Sequence, residues 1–517
     1  MRRSIIYYIV GFLAVITLIA GLVFAGANDD VGRYHQHLER PSEADLGYCW
    51  DCDDHMLCTH LPLIIIDTFG AEIPGRPLNY VLGRFGSFGE HLVTTPEGET
   101  EIEVSVSVID NPNHWNHEDD PPMHESLAMM RIRGNSSRFF DKPNYRISLI
   151  HPDATDNPLP LLGMDPHTEW ALHGPFLDKT LMRNYIWMNI AAEVMGPGHF
   201  VPEVRFFELI LNGEYQGLYV LMETVRVSPH RLDMNRYREG MPATSYLVRL
   251  DSRTQTPERV VDTFVTYTYR LEGLNSVEIM YPRLSQQSDR VRDYVTRNIS
   301  TVEHFMYSPE IIWDSRSYEQ YIDVNSFVNF YIINEFIANN DLWTGSTYLH
   351  KDVRGRIVAG PVWDFNNVMD NFFLPMPVDQ FLLADRGWFD RLMMCPDFTE
   401  RVIRRWHELR GGILAEERLV RYMQEVEDWL GSAIDRNFEV WGYSFDPSQV
   451  NAMSRRRPTY AQAAEGLTIY DVNPSSFEEA QEWARDYMIE RGQWLDRYIE
   501  TLRQFSHPSR HALWLVP

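Results

Sequence analysis

The polar and apolar positions fall into three regimes along the chain. From Ile5 to Ala25 every residue is uncharged and most are apolar. That is long enough for a helix to cross a hydrocarbon core, which needs roughly 20 residues. Arg2 and Arg3 precede it, so the charge rule places the rest of the chain on the far side of a membrane. The same residues, ending in Ala25-Gly26-Ala27, also fit a cleaved signal segment, which would make the protein secreted. A polar stretch then runs from 28 to 60. From Leu61 the apolar residues recur in short strand-like runs. Leu61 to Asp67 is one. Ile102, Val104, Val106 and Val108 alternate in another. Residues 128–133 and 144–150 flank a polar loop and predict a hairpin, and Asn212-Gly213 predicts the turn of a second. Between the hairpins, Leu181, Tyr185, Met188, Ala192 and Met195 share one helical face.

Beyond residue 285 the period lengthens. Helices are predicted over 288–306, 325–338, 389–409 and 416–438. A last long helix opens at a capping box, Ser476 to Glu479, and its apolar face carries Trp483, Tyr487, Trp494, Tyr498 and Leu502. Four segments follow: an anchor or signal (1–27), a cysteine-bearing linker (28–60), a strand-rich part (61–225) and a mainly helical part (226–517). This is an α+β layout of two lobes with a cleft between them.

Composition narrows the partners. The net charge of -26 argues against nucleic acid and against anionic lipid headgroups. Three of the four cysteines, Cys49, Cys52 and Cys58, fall within ten residues, near His55 and His60; Cys395 stands alone. Outside the cytoplasm a disulfide is the default, while the spacing also suits a zinc knot. Either is structural, and no thioredoxin-like pattern supports a redox role. Of 47 basic residues only three are lysines: Lys142, Lys179 and Lys351. A chain that otherwise uses arginine keeps lysine where a compact point charge is needed, as against phosphate oxygens.

Several positions invite chemistry. Asp364, in Gly360-Pro-Val-Trp-Asp364-Phe-Asn-Asn367, ends an apolar strand, and a carboxylate there suits Mg²⁺ or Mn²⁺. Asp341 follows an apolar helix and precedes the strand Thr347–His350. Asp341, Ser346 and Asp364 repeat the order that protein kinases use for a catalytic acid and two metal ligands. Small residues after Arg133, namely Gly134, Asn135, Ser136 and Ser137, let backbone N–H groups approach phosphate, with Lys142 just beyond. Asp178 reads as a helix cap; alternatively Lys179 or Arg183 reaches into the cleft. Glu223 ends a strand where an interlobe hinge would fall.

Taken in order, Leu61 to Asp67, Arg133 to Ser137 with Lys142 and Tyr145, Asp178-Lys179 with Arg183-Asn184, Asn212 to Tyr219 with Glu223, Asp341, and Pro361 to Phe365 resemble the CotH kinase family. The resemblance implies a protein-kinase-like fold of strand-rich and helical lobes. It implies ATP, Mg²⁺ or Mn²⁺, and a protein serine or threonine as substrate. On that analogy Asp364 binds metal with Asn366 and Ser346, and Asp341 takes the proton of the attacking hydroxyl. Lys142 neutralises the phosphates. Ser136, Ser137, Lys179, Arg183 and Glu223 complete the nucleotide site. Two positions depart from the family: Asn366 stands where an Asp is usual and Ser346 where an Asn is usual. Asn339, Asn340 or Asn367 are alternative amide ligands. The competing reading is a pseudokinase or surface-binding module, and a carboxylate-paired hydrolase is a third. The enzymatic reading requires Lys142, Asp341 and Asp364 to converge.

Overall fold

The computed structural model describes residues 32–50, 52, 57–78, 92–251, 256–268, 276–308, 311 and 317–511. Its strands are β1 (Cys58–Thr59), β2 (Leu63–Asp67), β3 (Ile102–Ile109), β4 (Asn116–His117), β5 (His124–Arg133), β6 (Asn144–Ile150), β7 (Glu169–His173), β8 (Val204–Leu211), β9 (Glu214–Glu223), β10 (Tyr246–Asp251), β11 (Val260–Val261), β12 (Ser276–Tyr281), β13 (Thr347–Lys351) and β14 (Val358–Ala359). Its longer helices are α1 (Arg183–Met195), α2 (Asp289–Met306), α3 (Val324–Phe336), α4 (Pro396–Arg410), α5 (Glu416–Leu430), α6 (Ser432–Trp441) and α7 (Phe477–Tyr498).

Seven strands close into a barrel in the order β2-β3-β5-β6-β7-β9-β8. All neighbours are antiparallel except the parallel seam where β2 meets β8, with Ile64 opposite Leu209. Closure leaves no unpaired edge. The alternating side chains fill the interior: Ile64, Val104, Val106, Met130, Ile147, Trp170, Leu209 and Leu221 are buried together. The other face of β8 is covered by α1, where Tyr185 meets Phe206 at a centroid distance of 4.4 Å, and β9 packs against α6. A second sheet, β11-β12-β10-β13-β14, joins residues 246–281 to 347–359.

Helix α3 is the centre of the helical part. Every residue but Asn325 is buried, as a helix apolar on all sides requires. It packs against α1, α4, α7 and β14. Its Glu335 forms a buried ion pair with Arg491 of α7 and accepts the backbone N–H groups of Leu382 and Leu383, both at 2.8 Å.

Two expectations are corrected. The strand-rich part is a closed barrel, and the part beyond residue 225 contains a five-stranded sheet. The architecture is therefore mixed α/β with a closed barrel, not the expected two-lobed kinase-like fold of a strand-rich lobe and a helical lobe. The membrane anchor, and the placement outside the cytoplasm drawn from it, is also withdrawn. Among the described residues no helix is long and apolar enough to cross a membrane, and residues 5–25, where the span was placed, lie outside the described residues. At finer scale, the helix expected over 416–438 breaks at Gly431 (φ 49°). The stretch 389–409 breaks before Pro396, whose missing N–H is harmless only in a first turn. The cap of α7 is present, since Ser476 accepts the N–H of Glu479 at 3.2 Å, but the Glu479 carboxylate turns to the N–H of Ser475 at 2.7 Å.

Candidate active site

The loop after α3 positions Asp341 through a relay of amides. Asn334 donates to the Phe330 carbonyl at 2.7 Å, Asn339 donates to the Asn334 side chain at 2.8 Å, and the N–H of Asp341 donates to Asn339 Oδ1 at 3.2 Å. The Asp341 carbonyl then accepts the N–H groups of Thr344 and Gly345 at 3.0 and 2.7 Å, which folds the turn back toward β13. Asn340 faces away and is held by Arg386 at 2.6 Å.

The second loop follows β14. Asp364 lies in the left-handed region (φ 66°), and the next N–H, of Phe365, donates to Asn184 of α1 at 2.9 Å. Ser346 Oγ donates to Asp364 Oδ2 at 3.3 Å, and Asn367 Nδ2 donates to Asp341 Oδ2 at 3.2 Å. Asn366 is buried; its Nδ2 donates to Asn367 Oδ1 at 3.1 Å, while its Oδ1 is buried without a hydrogen-bond partner. Burial chiefly, helped by the charge of Asp341, pushes the Asp364 carboxyl up to about 6 against the opposing pull of Arg133. Arg133, the last residue of β5, lies over the Trp363 ring, 5.2 Å from its centroid. Burial lowers its own proton affinity and Asp364 restores part of it.

The backbone here is strained. Ala338, Trp343, Ser346, Asp364, Met369 and Asp370 all have φ between 46° and 70°. They are six of the eleven non-glycine residues with positive φ among those described. Such conformations cost about 1 kcal/mol or more each and persist where surroundings enforce them, often at functional sites.

Of the residues singled out from the sequence, Asp341, Ser346, Asp364 and Asn366 thus meet in one place. Asn367 and Asn339, the alternative amides, bond Asp341. The remainder are engaged elsewhere. Lys142 is fully buried, and its Nζ donates to the Leu218 carbonyl and to Asn437 Oδ1, both at 2.6 Å. Lys179 donates to the Phe176 carbonyl at 2.6 Å and Ser444 Oγ at 2.9 Å. Lys351 reaches the carbonyls of Asp352 and Val353, both at 3.3 Å. All three lysines therefore bond backbone carbonyls, a task for a compact ammonium. Arg183 pairs with Asp178 and clamps the second loop through the carbonyls of Val368 and Met369 at 3.0 and 3.2 Å. Glu223 accepts the N–H of Glu203 at 2.8 Å, beside Arg231. Ser136 and Ser137 begin a short 3-10 turn after Gly134. Beneath that turn Arg138 donates to the carbonyls of Gly134, Gly75 and Ile132.

Arg133, which the sequence offered only as the first residue of a motif, is the cation set against Asp364. Its signal was there: Arg131 and Arg133 alternate with Ile132, so β5 turns two guanidiniums to the face opposite the barrel core.

The CotH kinase protein family model matches residues 130–495. The chain belongs to the CotH family. The match begins within β5 and ends within α7, and so includes both acidic loops and Arg133. No curated protein matches this CotH chain.

Proposed function

We propose that this CotH protein is a metal-dependent protein kinase that transfers the terminal phosphoryl group of ATP to a serine or threonine hydroxyl of a protein. The observation that carries the reading is the meeting of Asp341 and Asp364 beside an orphaned buried oxygen, Asn366 Oδ1, and a single arginine. Hard oxygen donors of this kind fit Mg²⁺ or Mn²⁺. Asp364, Asn366 and Ser346 would hold the ion, and when bound it supplies positive charge against the phosphate oxygens. Asp341, its backbone fixed by the Asn334–Asn339 relay, accepts the proton of the substrate hydroxyl. Arg133 orients phosphate oxygens, the role first given to Lys142. Lys142, which bonds Leu218 and Asn437 instead, does not meet the convergence with Asp341 and Asp364 that the sequence called for, so the reading rests on Arg133 in its place; Arg183 holds the second acidic loop.

The test is transfer of label from ATP, with Mg²⁺ or Mn²⁺, to the chain itself or to serine-rich peptides. Transfer should fall at least 100-fold in Asp364→Ala; label that persists undiminished in that variant refutes the assignment. A second reading, a pseudokinase, is favoured by Ser346 and Asn366 in place of the family's usual Asn and Asp and by the engagement of Lys142. Nucleotide binding with no transfer under either metal would establish it.

A further inference from the structure

We propose that Cys49, Cys52, Cys58 and His117 bind one zinc ion in a tetrahedral Cys₃His site that ties residues 49–58 to β4, just ahead of the barrel strand β2. The three sulfurs and one ring nitrogen all lie within 4.8 Å of one another. Cys49 Sγ is 3.4 Å from His117 Nε2. A tetrahedral zinc with bonds of about 2.0–2.3 Å places its ligand atoms roughly 3.4–3.8 Å apart, so only small side-chain adjustments close the shell.

The fold builds this arrangement from separate stretches. Strands β1 and β4 form a two-stranded antiparallel ladder whose register sets Cys58 opposite His117. Cys49 and Cys52 supply the Cys-x-x-Cys half. His117 is held from behind: its Nδ1 lies 3.5 Å from Asp120 Oδ2, and that oxygen also accepts the His117 N–H at 2.9 Å and Asn111 Nδ2 at 3.1 Å. A carboxylate behind the ring fixes which nitrogen faces the metal, as is usual for histidine ligands. Four protein ligands leave no open position, which marks a structural rather than a catalytic site. Three thiolates and an imidazole prefer zinc to the oxygen-seeking ion of the acidic site.

A disulfide accounts for the cluster less well. It would join two sulfurs and leave the third, with the imidazole, unused. Cys395 is no partner for that third thiol, since it is buried with its Sγ 3.5 Å from the Ile311 carbonyl. His60 is turned toward Glu43 at 3.4 Å, and His55 lies outside the described residues. The ligand that completes the set lies 59 residues beyond Cys58. Just downstream of Cys58, Asn116 Nδ2 donates to the Leu61 carbonyl at 3.0 Å, so the site fixes the entry to β2. Metal binding releases the thiol protons to solvent, leaving three thiolates on the ion.

The test is the metal content of the purified chain by mass spectrometry, followed by replacement with Co²⁺. One zinc per chain is expected, with thiolate-to-cobalt charge-transfer and tetrahedral d–d bands after exchange. Cys58→Ser and His117→Ala should lose the metal. His117→Cys should keep it with shifted cobalt bands, and His60→Gln should keep it unchanged. If the alanine and serine variants do not fold, the cobalt spectrum of the wild-type chain decides. Absence of zinc after incubation with zinc under reducing conditions overturns the proposal. So does a cobalt spectrum without thiolate bands, or stoichiometric zinc in both Cys58→Ser and His117→Ala.

Discussion

Replacing Lys142 with methionine separates a structural lysine from a phosphate-binding one. The methionine stem fills most of the same space but removes two hydrogen bonds of 2.6 Å, to the Leu218 carbonyl and to Asn437 Oδ1. Hydrogen bonds from a charged donor are worth about 1.5–3 kcal/mol each, so the gross loss is about 3–6 kcal/mol. Against this, the wild-type ammonium is fully buried and burial drives its proton affinity well down; removing it recovers several kcal/mol of desolvation. Asn437 Oδ1 also keeps the Leu218 N–H at 3.2 Å. The net cost should be about 1–3 kcal/mol, read as a lower urea midpoint in tryptophan fluorescence, with nucleotide affinity changed less than about twofold. Arg133→Met is the mirror case. It should cost about 1–2 kcal/mol of stability, through its lost contacts with Trp363 and Asp364, and lower nucleotide affinity at least tenfold. An unchanged urea midpoint in Lys142→Met together with a tenfold loss of affinity would refute the reasoning, because the amine would then belong to the nucleotide and not to α6.

Other outcomes follow from the same kind of argument. Arg491→Met leaves Glu335 buried without its partner and should cost about 3–5 kcal/mol, part of it recovered by adding Glu335→Gln; thermal unfolding of the two variants checks this. Burial pushes the Glu223 carboxyl up to about 7, so the folded state prefers it protonated. That contribution is complete below the unfolded value near 4.3 and is lost as pH rises toward 7; Glu223→Gln should therefore gain little at pH 4.5 and up to about 3 kcal/mol at pH 8 in urea titrations. Gly134→Ala puts a Cβ 1.9 Å from Ser137 Oγ at φ 113° and should destabilise by about 1–3 kcal/mol, with Ser137→Gly restoring only the steric part.

Much of the front half was legible because period-two alternation and Asn212-Gly213 are local signals. The two acidic loops were legible for a similar reason: Asp341 and Asp364 stand at element ends, where a side chain is free to face a cleft. Barrel closure was not, because the pairing of β2 with β8 joins residues about 140 positions apart and leaves no periodic trace. The rarity of Lys142 did not reveal the carbonyl it bonds. A compact ammonium fits a carbonyl socket as well as it fits phosphate, and composition cannot tell the two apart. His117 was overlooked because only the ladder with Cys58 brings it to the cysteines. The pairings of Arg386 with Asn340 and of Arg491 with Glu335, behind the loop after α3, were invisible because the partners lie 46 and 156 positions apart.

The parallel seam has a consequence for how the chain is made. β2 leaves the ribosome about 145 residues ahead of β8, its hydrogen-bonding neighbour on that side, so the cylinder stays open until about residue 211 has been synthesised. At typical elongation rates of 5–20 residues per second, that interval lasts roughly seven to thirty seconds. During it, Leu63, Ile64 and Ile66 present an unsatisfied margin to whatever else is in solution, which makes nascent β2 a natural client for a chaperone.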